Sequence, residues 1–167
     1  MDIPTFNGGV SYTQTGMTEL FKHIIYCKNF SILEFASDNS TIKLYDHFKK
    51  HVENPIFYSY DYIFLKTTHT GVNFMHYNEQ DISSIEIPNI KFDLILLDGS
   101  TDNKKALLSK IKDNVKDGTI IGIDYFKHFE CISDQLDINF EYELLGSNNE
   151  PFIAYGEHSW TIVRIKM

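Results

Sequence analysis

The stretch ILEFASDNST, Ile32–Thr41, decides the fold of this chain. Its apolar first half is typical of a buried strand, and its small polar residues run directly into a segment with helical spacing. Many nucleotide-binding folds place their cofactor loop at such a strand-to-helix turn, where glycine lets the backbone approach the ligand closely. Here Ala36 and Asp38 stand where glycine is expected. The stretch therefore predicts a working cofactor loop, a decayed one, or an ordinary turn.

The length and composition of the chain indicate one domain, residues 1–167, with an N-terminal arm (1–16) and a core (17–167). The chain has 167 residues, of which 43% are hydrophobic and 23% charged, and this suits a single soluble domain. Its net charge of −8 argues against binding nucleic acid unless a partner supplies a basic surface. Because no signal peptide or membrane-length apolar run is present, we expect a cytoplasmic protein that does not enter a membrane.

The remaining polar groups that could suggest metal or nucleic-acid binding have simpler interpretations. Cys27 and Cys131 match neither a zinc spacing nor a disulfide framework, and we expect both to be buried free thiols. His47 and His51 lie four residues apart but lack further zinc ligands, so they are interpreted as surface histidines on a helix. We interpret four further basic residues as a solvated helix face: Lys104, Lys105, Lys110 and Lys112.

Short apolar runs alternate with amphipathic runs along the chain, which predicts helices packed on a mostly parallel sheet. Helices are predicted near 18–28 (with Thr18 as N-cap), 40–52, 104–115 and 129–136. Strands are predicted near 31–35, 56–60, 72–76, 92–99 and 119–126, and Gly118 suits a left-handed turn. The last two strands, 140–146 and 159–165, have no helix between them and predict an antiparallel hairpin. The expected fold class is an α/β Rossmann-like three-layer sandwich with a mostly parallel seven-stranded sheet.

Acidic side chains follow nearly every predicted strand. In an open parallel sheet, ligands bind beyond the carboxyl ends of the strands. The acids at or after those ends are Glu34, Asp61, Asp81, Asp98 and Asp124. Any one of them could simply stabilise a turn or cap a helix, but the repetition favours a binding site. An acid at Asp61, after the second strand, suits acceptance of hydrogen bonds from two ribose hydroxyls.

The order and spacing of these segments resemble the class I S-adenosylmethionine-dependent methyltransferases over nearly the whole chain. ILEFASDNST resembles the first motif of that family, in the variant with glycine at the positions of Ala36 and Asp38. FDLILLDGS (92–100) resembles the fourth motif, and DGTIIGIDYF (117–126) the fifth strand with its glycine turn. The terminal pair FEYELLG and SWTIVRI is similar to the reversed hairpin that distinguishes this fold from NAD-binding relatives.

The resemblance implies that S-adenosylmethionine (SAM) binds along the first motif, with Asp61 at the ribose, Asp81 near the adenine and Asp98 where cofactor and acceptor meet. The first-motif residues implied to bind SAM are Glu34, Phe35, Ala36, Ser37, Asp38, Asn39 and Ser40. Ala36 adds one methyl group, which a small backbone shift could absorb. Asp38 brings a carboxylate near the amino-acid end of SAM, where it could pair with the ammonium group or repel the carboxylate. The neighbouring hydroxyls, amide and helix N-terminus still suit an anionic group.

The reaction is the least specified part of the resemblance. No Asp/Asn-Pro-Pro-Tyr stretch follows the fourth strand, which argues against methylation of base amino groups in nucleic acid. Asp98 and Asp124 resemble the acids that hold magnesium in catechol-type O-methyltransferases, although Tyr125 replaces an Asn ligand. The resemblance thus implies O-methylation of a small molecule or sugar, with Asp98 and Asp124 as catalytic residues and candidate magnesium ligands.

Alternatives remain open at this level. The chain could be a non-catalytic module that keeps the methyltransferase fold, because fold alone does not carry function. An NAD-binding Rossmann-like domain is a further alternative, although the glycine-poor loop and the terminal hairpin argue against it. Asp98 could cap the helix that begins near Thr101. The acceptor pocket is expected from the N-terminal arm, the loop after Asp98, the segment after Asp124, or a partner subunit such as the second copy in a homodimer.

Overall fold

The computed structural model describes residue 4 and residues 14–35, 39–62, 68–78, 80–97, 101–124, 141–152 and 156–167. For residues 39, 101–103, 124, 148–152 and 156–159 this description covers the backbone alone. The helices in this part of the chain are α1 (Gln14–His23), α2 (Asn39–His51) and α3 (Thr101–Lys110), with short 3₁₀ helices at Ile82–Ser84 and Lys112–Asn114. The strands are β1 (Asn29–Phe35), β2 (Asn54–Asp61), β3 (Asn73–His76), β4 (Leu94–Leu97), β5 (Ile120–Asp124), β6 (Glu141–Phe152) and β7 (Gly156–Lys166).

The strands form one seven-stranded sheet in the order β3-β2-β1-β4-β5-β7-β6. Strands β1 to β5 are parallel to one another, whereas β7 runs antiparallel to both β5 and β6. The predicted fold class, a mostly parallel sheet that ends in an antiparallel hairpin, is therefore confirmed.

Strand β1 lies in the middle of the sheet and is buried from its second residue to its last. Since successive side chains of a strand point to opposite faces, Ile32 packs with α1 and α2 on one face, while Leu33 and Phe35 pack with α3 on the other. This burial on both faces explains why the sequence of β1 reads as an almost continuous apolar run. The same rule places the side chain of Glu34 on the face covered by α1 and α2.

A polar network joins the amino ends of the three central strands. The carboxylate of Asp93, just before β4, accepts hydrogen bonds from the backbone N–H (2.8 Å) and the hydroxyl (2.9 Å) of Ser31 in β1. The ammonium group of Lys116 lies 2.6 Å from the same carboxylate. The buried hydroxyl of Thr119, just before β5, donates to the carbonyl of Phe92 at 2.7 Å. These contacts fix β1, β4 and β5 relative to one another.

The predicted turn at Gly118 is confirmed, whereas the predicted bounds of the first helix and the burial of Cys27 are not. Gly118 has φ +83°, so its left-handed turn is confirmed. Helix α1 begins at Gln14, four residues before the predicted cap, and Thr18 lies inside it. The same helix ends at His23, so Ile25 is 80% exposed. The prediction of a buried thiol is wrong for Cys27, which is exposed in the connection to β1. Cys131 and the helix predicted at 129–136 lie outside the described residues.

Two interpretations of charged and polar helix residues are also wrong. Lys104 is fully buried rather than solvated, because it shares a helix face with the buried residues Leu107 and Leu108. His47 is only 4% exposed, and its Nε2 lies 2.6 Å from the hydroxyl of Tyr26. A hydrogen-bonding partner from another element is what permits a histidine to be buried. Lys112 and His51 are exposed, as expected, and Lys105 and Lys110 are half-buried.

The C-terminal hairpin is longer than predicted. The two strands continue to pair through the residues between the predicted strands 140–146 and 159–165, as far as Phe152 opposite Gly156. Because β5 ends opposite Trp160, the last four residue pairs of the hairpin extend past the carboxyl end of β5. None of the helices in the described part of the chain is long and apolar enough to cross a membrane.

Candidate functional site

The carboxyl ends of five parallel strands meet along one edge of the sheet. The chain leaves β1 through α2 to reach β2 on one side, while β4 pairs with the other side of β1. The sheet therefore has its topological switch point between β1 and β4, which is where open α/β sheets bind ligands. In register, Phe35 of β1 lies between Tyr60 of β2 and Leu97 of β4, and Asp61 pairs with His76 of β3. The strand ends at which site residues were predicted are thus neighbours in the sheet.

Glu34 lies one residue before the carboxyl end of β1, and its side chain is fully buried. Its Oε2 accepts a hydrogen bond from the hydroxyl of Thr41 in the first turn of α2 (2.7 Å) and another from the hydroxyl of Ser59 in β2 (2.6 Å). Thr41 and Ser59 are themselves fully buried. We call these three residues the Glu34 cluster. It joins three elements, β1, α2 and β2, through one carboxylate.

Aromatic packing underlies the same edge on the opposite face of the sheet. The ring of Phe35 lies 5.3 Å from that of Tyr60 and meets the ring of Tyr77 edge-on at 6.1 Å. The hydroxyl of Tyr60 donates to the carbonyl of Glu86 at 2.7 Å. Burial raises the pKa of Tyr60 to about 12, with smaller contributions from Tyr58 and Glu86. Phe35 is fully buried in this packing, so its side chain supports the edge from within.

The first turn of α2 lies at the same edge of the sheet as the end of β1. The helix begins at Asn39, and Ser40 is buried, at 9% exposure. The first N–H groups of a helix lack partners within the helix and carry partial positive charge. Because only three residues separate the end of β1 from the start of α2, these donors lie at the switch point. An anionic group can be bound there.

The two acids predicted to contact the nucleoside differ in environment. Asp61 ends β2 and is only 8% exposed, and its carbonyl accepts a hydrogen bond from the N–H of Tyr77 at 2.9 Å. Asp81 is exposed and precedes the 3₁₀ helix Ile82–Ser84. The hydroxyl of Ser83 donates to its Oδ1 at 2.6 Å. That hydrogen bond is the main reason why the pKa of Asp81 is lowered, so Asp81 is ionised at neutral pH.

Several predicted site residues lie outside the described residues or are described in backbone only. Ala36, Ser37, Asp38 and Asp98 lie outside them, while Asp124 ends β5 and Asn39 begins α2 without a described side chain. Their predicted roles stay predictions. Among the described side chains, no group of three or more His, Cys, Asp or Glu residues could hold a metal ion. Neither candidate magnesium ligand belongs to that set, so magnesium binding also stays a prediction.

Sequence reasoning missed two residues at this edge. Ser59 was treated only as part of a strand, and Tyr77 was not selected at all. A signal for Ser59 was present, because it is a small polar residue inside an aromatic strand, FYSY, where it interrupts an otherwise bulky run. Its partner could not be deduced, because that requires the register in which Ser59 pairs with Glu34. Tyr77 carries no comparable signal, since an aromatic residue after a strand is ordinary core.

Comparison with known proteins rests on structure alone. No family model matches the sequence, and no curated protein matches it significantly. Trm5b from Pyrococcus abyssi aligns with 94% of this chain at 15% identity and a TM-score of 0.59. This chain covers 51% of that protein, so it spans about half the length of Trm5b.

Two further solved structures are similar to this chain along nearly their whole lengths. Precorrin-6y C5,15-methyltransferase from Geobacter metallireducens has a TM-score of 0.60 and 9% identity over 99% of this chain and 95% of that one. SMU.1697c from Streptococcus mutans, solved in complex with S-adenosylhomocysteine (SAH), has a TM-score of 0.56 and 12% identity over 89% of this chain and 95% of that one. Identities this low establish architecture rather than activity. The chain therefore has the fold of the class I S-adenosylmethionine-dependent methyltransferases.

Proposed function

We propose that this protein is a SAM-dependent methyltransferase that methylates an oxygen of a small molecule or sugar. The observation that carries the proposal is the arrangement at the switch point, where the Glu34 cluster joins the end of β1 to the first turn of α2 and Asp61 ends the adjacent strand. The fold supports the same conclusion, and one protein of similar structure, SMU.1697c, was solved with SAH. A working cofactor loop is thus favoured over a decayed one.

In this proposal the cofactor lies across the ends of β1 and β2. The amino-acid end of SAM contacts the loop 36–38 and the first turn of α2, where Ser40 lies. Asp61 accepts hydrogen bonds from the two ribose hydroxyls, and the ionised carboxylate of Asp81 lies near the adenine amine. The low exposure of Asp61 fits this role, because a carboxylate shielded from water binds hydroxyls more strongly than an exposed one.

The acceptor would bind on the β4 and β5 side of the switch point. SAM supplies a methyl group bound to a positively charged sulfur, and the acceptor oxygen forms the new C–O bond as the C–S bond breaks. Asp98 is proposed as the base that takes the hydroxyl proton of the acceptor. Asp98 and Asp124 would be the protein ligands if magnesium lowers the pKa of that hydroxyl. The net charge of −8 favours a small acceptor over nucleic acid.

The first test is binding of SAM and SAH measured by calorimetry. The wild-type protein should bind both, and Asp61→Ala should weaken binding about tenfold or more, since each hydrogen bond to a charged acceptor contributes roughly 1.5–3 kcal/mol. Asp113→Ala is the matched control, because Asp113 is an exposed acid at the opposite edge of the sheet. No binding of either compound at millimolar concentration would contradict the proposal and favour a non-catalytic module.

The second test examines the role of Asp38 in cofactor binding and the role of Asp98 in methyl transfer. Asp38→Gly should bind SAM more tightly if Asp38 repels the cofactor carboxylate, and less tightly if it pairs with the ammonium group. Transfer of a radiolabelled methyl group into cell extract would identify the class of acceptor. With that acceptor, Asp98→Asn should abolish transfer while cofactor affinity changes only a few-fold. Equal loss of affinity and transfer would instead assign Asp98 to structure, and transfer that resists a chelator would exclude the magnesium ion.

A further inference from the structure

We infer that Glu34 does not bind the cofactor directly but positions the two halves of its site, the first turn of α2 and Asp61, through hydrogen bonds to Thr41 and Ser59. This inference rests on the proposed function, because it concerns how the same edge holds SAM. It changes the role expected for Glu34, from ligand to positioning residue.

The carboxylate of Glu34 is directed into the protein. All three members of the Glu34 cluster are fully buried, and both donors use the same oxygen, Oε2. The O···O distances of 2.7 and 2.6 Å are in the range of charge-assisted hydrogen bonds between a hydroxyl and a carboxylate. Such bonds are stronger and more directional than those between neutral groups. The oxygen that makes both contacts is therefore committed to the protein.

The hydrogen bond from Thr41 fixes the ends of the loop. Glu34 lies just before the segment 36–38 and Thr41 just after it, so their contact ties β1 to the first turn of α2 across that segment. A glycine-rich loop can adopt backbone conformations that other residues avoid, whereas this loop has Ala36, Ser37 and Asp38. The contact between Glu34 and Thr41 therefore holds the end of β1 against the first turn of α2 without any glycine in the segment between them.

The hydrogen bond from Ser59 extends the same anchor to the ribose side. Ser59 pairs in register with Glu34, and Asp61 follows it by two positions. Residues two apart on a strand point to the same face, so Asp61 projects on the face where the Glu34 cluster lies. The carboxylate of Glu34 is thus linked to the strand that carries the ribose acid and to the helix that begins after the loop. Both halves of the proposed site depend on one buried group.

The decisive experiment compares two threonine-to-valine substitutions by SAH affinity and by stability to urea. Thr41→Val removes the hydroxyl of the cluster and keeps the side-chain shape. Thr119→Val is the control, because Thr119 is equally buried but lies at the amino edge of the sheet, where its hydroxyl donates to the carbonyl of Phe92 at 2.7 Å and accepts from the N–H of Lys116 at 2.9 Å. We expect Thr41→Val to weaken SAH binding at least tenfold, and Thr119→Val to change it less than twofold even though Thr119→Val removes two hydrogen bonds and should lose at least as much stability.

Conservative variants make the result specific to the hydroxyl. Thr41→Ser keeps the donor and should bind SAH within about threefold of the wild type, although it loses a buried methyl group. Ser59→Ala should weaken binding as Thr41→Val does, and the double variant should lose less than the product of the two effects, because both donors share one acceptor. Ser59→Ala removes a single oxygen, so it keeps the test available if Thr41→Val does not fold.

The outcomes separate this inference from the proposed function. If the wild type binds SAH and Thr41→Val, Ser59→Ala and Thr119→Val all bind it equally well, the Glu34 cluster serves stability alone and the inference is wrong. If Thr41→Ser is as weak as Thr41→Val, the hydroxyl is not responsible and the inference is also wrong. If the wild type binds neither SAM nor SAH, the proposed function itself fails.

Discussion

Replacement of Asp93 by alanine should destabilise the protein substantially without affecting the candidate site. The change removes the acceptor for the backbone N–H of Ser31, the nearer of two acceptors for its hydroxyl (the other is the carbonyl of Lys91 at 3.1 Å), and the ion pair with Lys116. A part-buried amide left without its acceptor costs roughly 1–3 kcal/mol, and the loss of the hydroxyl contact about 1 kcal/mol more. The ion pair adds less than about 1 kcal/mol, because the Lys116 side chain is 42% exposed.

The expected loss of unfolding free energy is therefore about 3 kcal/mol for Asp93→Ala. For a protein of this size that corresponds to a fall in Tm of roughly 6–12 °C. Asp93→Asn keeps an oxygen acceptor for the amide and should cost only about 1 kcal/mol. Both values would be measured by urea denaturation and by thermal unfolding, with SAH affinity as the check that the opposite edge of the sheet is intact.

The exposed acid Asp113 again provides the control, because Asp113→Ala makes the same change in net charge and should stay within about 0.5 kcal/mol of the wild type. In a Ser31→Ala background, Asp93→Ala should cost less by roughly 1 kcal/mol, since the hydroxyl contact is already absent. The reasoning would be refuted if Asp93→Ala were as stable as Asp113→Ala, because the network would then contribute nothing measurable.

Three further outcomes are expected. Burial raises the pKa of Tyr26 and of Tyr60 to about 12 from 10.0, so both keep their protons in the folded protein at pH values where the unfolded chain has lost them. Their contribution to stability is therefore complete below pH 10.0 and falls as the pH rises to about 12. Replacing both tyrosines by phenylalanine should make the unfolding free energy, measured by urea denaturation, fall less steeply over that pH range. An unchanged dependence of the unfolding free energy on pH would contradict this expectation. Gly118→Ala should cost about 1 kcal/mol from its left-handed backbone alone, because nothing lies within 4 Å of an added Cβ, and Gly118→Asn should cost less. Tyr26→Phe at neutral pH should destabilise the protein by about 1 kcal/mol, since the buried His47 loses a hydrogen-bonding partner, and a neutral effect would show that this contact is unimportant.

The elements that sequence reasoning predicted well are those whose signal is local. The run from Ile32 to Phe35 is apolar because β1 is buried on both faces, and Gly118 marks its turn because few other residues adopt positive φ. The terminal hairpin followed from the absence of a crossover helix. In each case the residues that determine the structure are close together in the sequence.

The predictions that failed depend on contacts between distant parts of the chain. His47 is buried because Tyr26, 21 residues away, provides a partner. The contact of Glu34 with Ser59, 25 residues away, was not foreseen for the same reason, although the predicted role of Glu34 at the cofactor stays a prediction. Helix α1 begins before Thr18 although Thr18 can act as a cap, because capping preference is weaker than the packing of Met17 and Leu20 against the sheet. The edge of the sheet where a ligand would bind was predictable from strand order, whereas the hydrogen bonds within it were not.

The length of β6 has a consequence for self-association. As the last strand of the sheet, β6 presents one row of backbone groups to which a strand of another molecule could bind, a common origin of aggregation. The pairing of β6 with β7 shifts register between Leu144 and Gly146, which makes β6 irregular, and the exposed acid Glu141 precedes the shift. Irregular pairing and charge both discourage the addition of a strand. A homodimer that extended the sheet through β6 would have to overcome both, so we expect any dimer to use another surface.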